Sequence, residues 1–255
     1  MNQLNVNLPE LPYAVSEAMN RLRINIKFCG KNTRKILLTS CQPNEGKSTI
    51  SSYLWKMLAE AGFPTVLVDV DLRKSVMKTR FQMDYDDDTT MGLNHYLTGM
   101  AEYEDVVYST NIPNGYMVPC TQLLENPSAL LEDIRFKELL NTLSENYRFV
   151  IIDSPPLGSV ADGALIASLC DGAVLVVRAG TTPRTLIKQS LYEIQQSGCK
   201  LLGTVLNRAD VKGRAYGKYG YGKYGYGYGY GYGYEPKDKK NSSDSAATDK
   251  NSTGK

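Results

Sequence analysis

Five short runs are apolar almost throughout: KILLTS (35–40), TVLVDVD (65–71), FVIID (149–153), AVLVV (173–177) and LLGTVLN (201–207). A strand without a polar face must be buried on both sides, and helix-length segments lie between these runs. Together they specify an α/β fold, a mainly parallel, doubly wound sheet flanked by helices. Helical spacing is read over 14–28, through STISSYLWKMLAEAG to its stop at Gly62, in GLNHYLTGM, over 160–169 and over 183–197. NPSALLEDIRFKELLNTLSENY reads as one long helix with Asn126 as N-cap and Pro127 in the first turn. The core is expected to end near Ala209.

With 255 residues, 42% of them hydrophobic, the chain can bury one core of roughly 210 residues and carry a tail. A net charge of +2 is too small for a general nucleic-acid binder. Five scattered cysteines without a CxxC fit reduced thiols in a cytosolic protein. The single histidine, His95, excludes a His-based metal site and a Ser-His-Asp triad. The first residues carry no basic-then-apolar leader, and no apolar run is long enough to cross a bilayer. Membrane association is therefore expected only through a partner.

Chemistry concentrates where strands end. SCQPNEGKST follows the first strand and opens a helix, and its last part reads Cys41-x4-Gly46-Lys47-Ser48-Thr49. Backbone N–H groups of such a loop and the positive end of the helix surround a polyphosphate. Lys47 can neutralise terminal phosphates, and the Ser48 hydroxyl can ligate Mg²⁺. Cys41 stands where the usual P-loop has its first glycine. Asp69 and Asp71 close one strand, followed by Arg73, and Asp153 closes another. Carboxyl ends of strands border the ligand crevice of a doubly wound sheet, and hard carboxylate oxygens suit the Mg²⁺ of a nucleotide. The acidic stretch MDYDDDTT reads as a solvated loop.

Beyond Lys212 the composition changes. Nine tyrosines lie between Tyr216 and Tyr234, spaced almost entirely by glycine, and 235–255 is polar. Glycine that dense opposes packed structure, so the tract is expected to be disordered and its rings not core. The expected divisions are 1–212 as a P-loop domain, 213–234 as a Gly/Tyr tail, and 235–255 as a polar terminus.

CQPNEGKST, VLVDVDLRKS and FVIIDSPP resemble the Walker A, A′ and B motifs of the bacterial tyrosine kinases, in particular the cytosolic kinases of Gram-positive capsular or exopolysaccharide synthesis. GLNHYLTG, GTVLN and the tyrosine cluster extend the likeness over most of the chain. The resemblance implies an ATP- and Mg²⁺-dependent tyrosine kinase, with Lys47 on the phosphates and Asn44, Glu45, Gly46, Ser48 and Thr49 completing the nucleotide loop. It implies Ser48, Asp71 and Asp153 at magnesium, Asp69 and Asp71 near the tyrosine hydroxyl, and Asn207 beside the adenine. Related MinD/ParA ATPases carry a second lysine where Gln42 stands, which favours the kinase branch. An oligomerisation helix of the pattern Glu-x2-Arg-x2-Arg is matched by Glu17 and Arg23, with Asn20 in the middle position and Arg21 beside it. The implied partners are a membrane-embedded adaptor whose cytoplasmic segment activates the kinase at the membrane's inner face, a cognate tyrosine phosphatase, and further copies in a ring. Nucleic acid is not among them.

The tail then has a use. An accessible Gly-Tyr repeat can extend into a neighbouring crevice and present one phenol after another in line with a γ-phosphate. Tyr216, Tyr219, Tyr221, Tyr224, Tyr226, Tyr228, Tyr230, Tyr232 and Tyr234 are the expected acceptors. Modifying all nine would add roughly −14 to −18 of charge. A tail seated in an acidic crevice is expected to be expelled by that charge, dissolving the ring. The rival readings are a MinD/ParA-like assembly ATPase without tyrosine transfer, and a scaffold whose tail stacks on nucleic acid or polysaccharide.

Overall fold

All five apolar runs become strands of one sheet in the computed structural model, which describes residues 3–85, 89–158 and 162–209. The tail and its tyrosines, and part of the acidic stretch, lie outside the described residues. The strands are β1 (Gln3–Leu4), β2 (Lys35–Ser40), β3 (Thr65–Asp69), β4 (Tyr108–Thr110), β5 (Gly115–Val118), β6 (Phe149–Asp153), β7 (Gly172–Arg178) and β8 (Leu201–Asn207). Their spatial order is β1-β4-β5-β3-β6-β2-β7-β8, and every pairing is parallel except β4 with β5. The helices are α1 (Tyr13–Lys27), α2 (Lys47–Glu60), α3 (Met77–Arg80), α4 (Leu93–Leu97), α5 (Tyr103–Val106), α6 (Ser128–Glu132), α7 (Ile134–Asn146), α8 (Asp162–Ser168) and α9 (Arg184–Gln196).

The central strands serve two cores because their side chains alternate across the sheet. In β2, Ile36 and Leu38 pack in one core with Leu54, Trp55 and Leu58 of α2. Leu37 between them packs in the other with Phe136, Leu139 and Leu143 of α7. Neither face of β2 can therefore take a polar residue, which is the pattern KILLTS carries until its last two positions.

One expectation is corrected. The long helix from Asn126 is broken: α6 starts after Pro127, and Asp133 adopts an extended conformation (φ −65°, ψ 148°) between α6 and α7. There it caps the second helix, its carboxylate accepting from the Arg135 N–H at 2.9 Å, the local bond by which aspartate competes with helix continuation. The strands β4 and β5 were not legible, since YST and GYMV are too short and mixed to stand out from a loop.

The topology places the chemistry. β2, β6 and β3 are neighbours with carboxyl ends at the same edge, where Leu38 pairs with Asp153 and Asp153 with Asp69. Three segments distant in sequence thus deliver the phosphate loop and the aspartates to one crevice.

Candidate active site

The loop between β2 and α2 holds its shape through backbone torsions and one buried carboxylate. Asn44 and Gly46 both have positive φ, 65° and 94°. Gly46 directly precedes α2, which has no side-chain N-cap, so the first-turn N–H groups remain for an anion. Glu45 is turned inward: its carboxylate accepts from the N–H groups of Cys41 (2.7 Å) and Gln42 (2.9 Å), from Arg178 N–H (3.4 Å) and from the Thr182 hydroxyl. Its side chain therefore braces the loop from beneath. Asn207, the last residue of β8, donates from Nδ2 to the Glu45 carbonyl at 2.8 Å and accepts the Arg208 N–H at 2.8 Å.

This clamp leaves no room at Gly46. A Cβ there would lie 2.1 Å from Asn207 Nδ2, on a backbone already in the left-handed region. Gly46→Ala is expected to weaken ATP binding about tenfold or more, the torsional cost alone being about 1–2 kcal/mol. Adding Asn207→Ala should recover part of the loss. A fluorescent ATP analogue titrated into the variants measures both, and unchanged affinity in Gly46→Ala would show that the clamp does not set the loop.

Lys47 is the hub of the site, although only 6% exposed. Its ammonium lies 3.0 Å from Asp153 Oδ2, 3.7 Å from Asp71 Oδ2 and 3.2 Å from Ser48 Oγ. The other Asp153 oxygen accepts from Ser51 Oγ at 3.0 Å. Hard oxygens of Ser48, Asp71 and Asp153 thus already converge on one cation, the donor set that a small divalent ion requires. Among the described residues no three carboxylate, thiol or imidazole side chains form a metal cluster. An ion held by one or two carboxylates, a hydroxyl and substrate phosphates needs none.

The paired aspartates of the 65–71 run are not equivalent. Asp69 is 1% exposed, held by the Ser75 hydroxyl and by the Asp71 N–H at 3.3 Å. Burial, reinforced by Asp153, pushes its carboxyl up to about 8. Asp71 lines the open cleft, and burial also raises its carboxyl, against the pull of Lys47. The cleft, about 170 Å³, is bordered by the loop together with Asp71, Arg73, Lys74 and Arg80. The crevice expected to be acidic therefore has carboxylates at its floor and cations along its rim, because the segment after β3 contributes Arg73, Lys74 and Arg80. Thr49 faces that segment, its hydroxyl accepting from Arg80 Nη1 at 3.2 Å.

Sequence reasoning missed the supporting residues. Arg73 binds buried Asp162 (2.8 Å), Ser128 (3.1 Å) and the Glu125 carbonyl (2.9 Å), tying the end of β3 to α6 and α8. Ser51, Ser75 and Thr182 likewise orient the charged groups, and lone hydroxyls carry no signal in a sequence. On α1, Glu17 and Arg21 are exposed, and Arg23 donates to Asn20 Oδ1 at 2.8 and 3.1 Å. The position where the resemblance expects a middle arginine is thus filled by a residue bound to its own neighbour.

A doubly wound sheet with this loop and these carboxylates at its carboxyl edge defines a P-loop nucleotide-binding domain. A family model described as AAA domain matches residues 33–195. The tyrosine-protein kinase CpsD of Streptococcus agalactiae is 41% identical over 208 residues, 81% of this chain and 90% of the relative. The crystal structure of the chimerical protein CapA2B2 has a TM-score of 0.72 at 33% identity, covering 80% of this chain and 92% of that one. The septum site-determining protein MinD of Pyrococcus horikoshii, complexed with Mg-ADP, reaches 0.56 at 25% identity, covering 68% and 69%. The chain belongs to the bacterial tyrosine kinases of the Gram-positive capsule type, and is an ATP-binding protein-tyrosine kinase. No described helix is long and apolar enough to cross a membrane.

Proposed function

We propose that this kinase phosphorylates its own Gly/Tyr tail in trans, Tyr216 to Tyr234, and thereby regulates capsular or exopolysaccharide synthesis and export. The observation that carries this reading is Asp71, open to the cleft beside Lys47 while Asp69 is sealed beneath it. Asp71 is placed to meet an incoming phenol, and Asp69 positions Asp71 through its backbone N–H. The phenol oxygen bonds to the γ-phosphorus of ATP as the bond to the β–γ bridging oxygen breaks. ADP leaves with that electron pair, and the phenolic proton passes to Asp71. A phenol with pKa near 10 needs that hydrogen bond.

Lys47 would leave Asp153 to neutralise the terminal phosphates, and Ser48, Asp71 and Asp153 would hold Mg²⁺. That ion supplies charge neutralisation at the transferring phosphoryl group when bound. Loop N–H groups from Asn44 to Thr49 cradle the phosphates, and Asn207 stands at the loop edge, where we place the adenine. The outer side of α1 exposes Tyr13 and Ile24 together with Glu17 and Arg21, and Phe28 is exposed just past its end, which supports packing against another copy. A membrane adaptor's cytoplasmic segment would activate the kinase at the membrane's inner face, and a tyrosine phosphatase would reset the tail.

The test is phosphotyrosine formation on the full chain with Mg-ATP, with and without a candidate adaptor's cytoplasmic segment, beside a chain truncated after Lys212. Labelling should vanish on truncation while ATP binding persists, and light scattering of the same samples should show assemblies shrinking as labelling proceeds. Labelling that persists after truncation would place the acceptors elsewhere. ATP hydrolysis without phosphotyrosine under any condition would leave the tail reading without support and favour an assembly switch.

A further inference from the structure

The rim of the cleft carries two exposed cations besides Lys47 and Arg73. Arg73 is committed inward, to Asp162, Ser128 and the Glu125 carbonyl. Lys74 and Arg80 also border the cleft but are exposed. Lys74 begins beside the proposed base, its own N–H donating to Asp71 Oδ1 at 3.2 Å. Arg80 reaches across the opening to the Thr49 hydroxyl, a neutral and replaceable partner, at 3.2 Å. Triphosphate has its own receptor in the loop N–H groups and Lys47. An anion beyond the transferring phosphoryl group would meet Lys74 and Arg80.

The tail has a matching period. Tyr219 and Tyr221 are two residues apart, and from Tyr224 to Tyr234 every second residue is tyrosine. In an extended chain, residues two apart share a face and lie about 7 Å from each other. With one phenol at Asp71, the next tyrosine head on that face lies one such step along the rim. If it is already phosphorylated it brings about −1.5 to −2 of charge and several acceptor oxygens, which arginine and lysine bind well.

We infer that Lys74 and Arg80 form a phosphotyrosine subsite, which holds one modified tail residue while its neighbour two positions away is phosphorylated at Asp71. The inference rests on the tail being the acceptor and deepens that reading: the preferred substrate is a tail already carrying one phosphate. The transfer itself is unchanged, with ADP leaving and the phenolic proton going to Asp71. Phosphorylation then spreads along the two-residue repeat rather than falling at random. Gaps of three residues, from Tyr216 to Tyr219 and from Tyr221 to Tyr224, interrupt that register. A first phosphate keeps the tail at the rim instead of expelling it.

The experiment uses two peptides spanning 223–234 in which Tyr226 is the sole free acceptor and the remaining tyrosines are phenylalanine. In one of them position 228 carries phosphotyrosine. Transfer by the full chain to each peptide is followed by mass spectrometry, and binding of each to the full chain by fluorescence anisotropy. The phosphorylated peptide should show kcat/KM and affinity higher by about fivefold, the scale of two exposed charge pairs. In Lys74→Ala/Arg80→Ala that ratio should fall to about 1, with Mg-ATP affinity retained. Equal kinetics and affinity for the two peptides in the unmodified chain would overturn the subsite. So would a parallel loss of Mg-ATP binding in the double variant, which would assign both cations to the nucleotide. Failure to label either peptide would count against the tail as acceptor, and the anisotropy ratio would then decide the subsite separately.

Discussion

Lys47→Met is expected to lower phosphotyrosine formation by about a hundredfold to a thousandfold, the loss typical when one preorganised charge is removed from a transition state. Its ammonium is the hub on which Asp71, Asp153 and Ser48 converge among the described residues. The variant should also be less stable. Asp153 is 1% exposed, and removing its partner leaves a buried carboxylate unpaired, a change worth about 3–5 kcal/mol. Lys47→Met/Asp153→Asn separates the two effects. The double variant should regain most of the lost melting temperature and none of the activity. Labelling of Lys47→Met within threefold of the unmodified chain would remove Lys47 from the mechanism.

Asp69→Asn should have opposite effects on activity and stability. Activity is expected to fall by about a hundredfold, since a carboxamide has one oxygen where the carboxyl offers two, to the Asp71 N–H and the Ser75 hydroxyl, and the base loses its alignment. Stability should rise. The folded-state carboxyl of Asp69 is raised to about 8, against about 3.9 in an unfolded chain. Between those values the unfolded chain binds fewer protons than the folded one, so this group removes stability as pH rises from about 4 to about 8. Above that window its contribution is constant. The melting temperature of nucleotide-free Asp69→Asn should exceed that of the unmodified chain by about 4 °C at pH 8.5, or about 1–2 kcal/mol for a domain this size. The gap should narrow towards pH 5. A gap that widens on acidification would show that Asp69 is ionised in the folded chain across this range.

Where the sequence was legible, one physical rule acted locally. Strands buried on both faces must be apolar throughout, so β2, β3, β6 and β7 declared themselves; β8 was read by the same rule but is an edge strand, with Leu201 and Leu206 exposed. Gly62 ended α2 as read, in the left-handed conformation that glycine alone adopts without strain (φ 86°). Asp133 was missed because a mid-helix aspartate and a capping aspartate look alike until its extended backbone is seen. β4 and β5 were missed because their place is decided by partners: β5 pairs with β3 from Thr65 to Val68, and β4 reverses direction only against β5.

The same division runs through the site. Lys47, Ser48, Asp69, Asp71 and Asp153 could be named from the sequence because phosphate, magnesium and proton transfer restrict the chemical groups able to serve them, and strand ends restrict where such groups stand. Their differences could not be read. Asp69 and Asp71 are alike in composition and two residues apart, yet one is sealed, its carboxyl pushed up to about 8 by burial, and the other lines the cleft. Glu45 carries a charge in a nucleotide loop and spends it on the loop's own N–H groups. Arg73, Lys74 and Arg80 form one basic segment in sequence, but Asp162, from a helix on the far side of β6, draws only Arg73 inward. The sequence determined which groups are present. The tertiary structure determined which of them are desolvated, paired or left open, because dielectric and hydrogen-bond partners are set by neighbours distant along the chain.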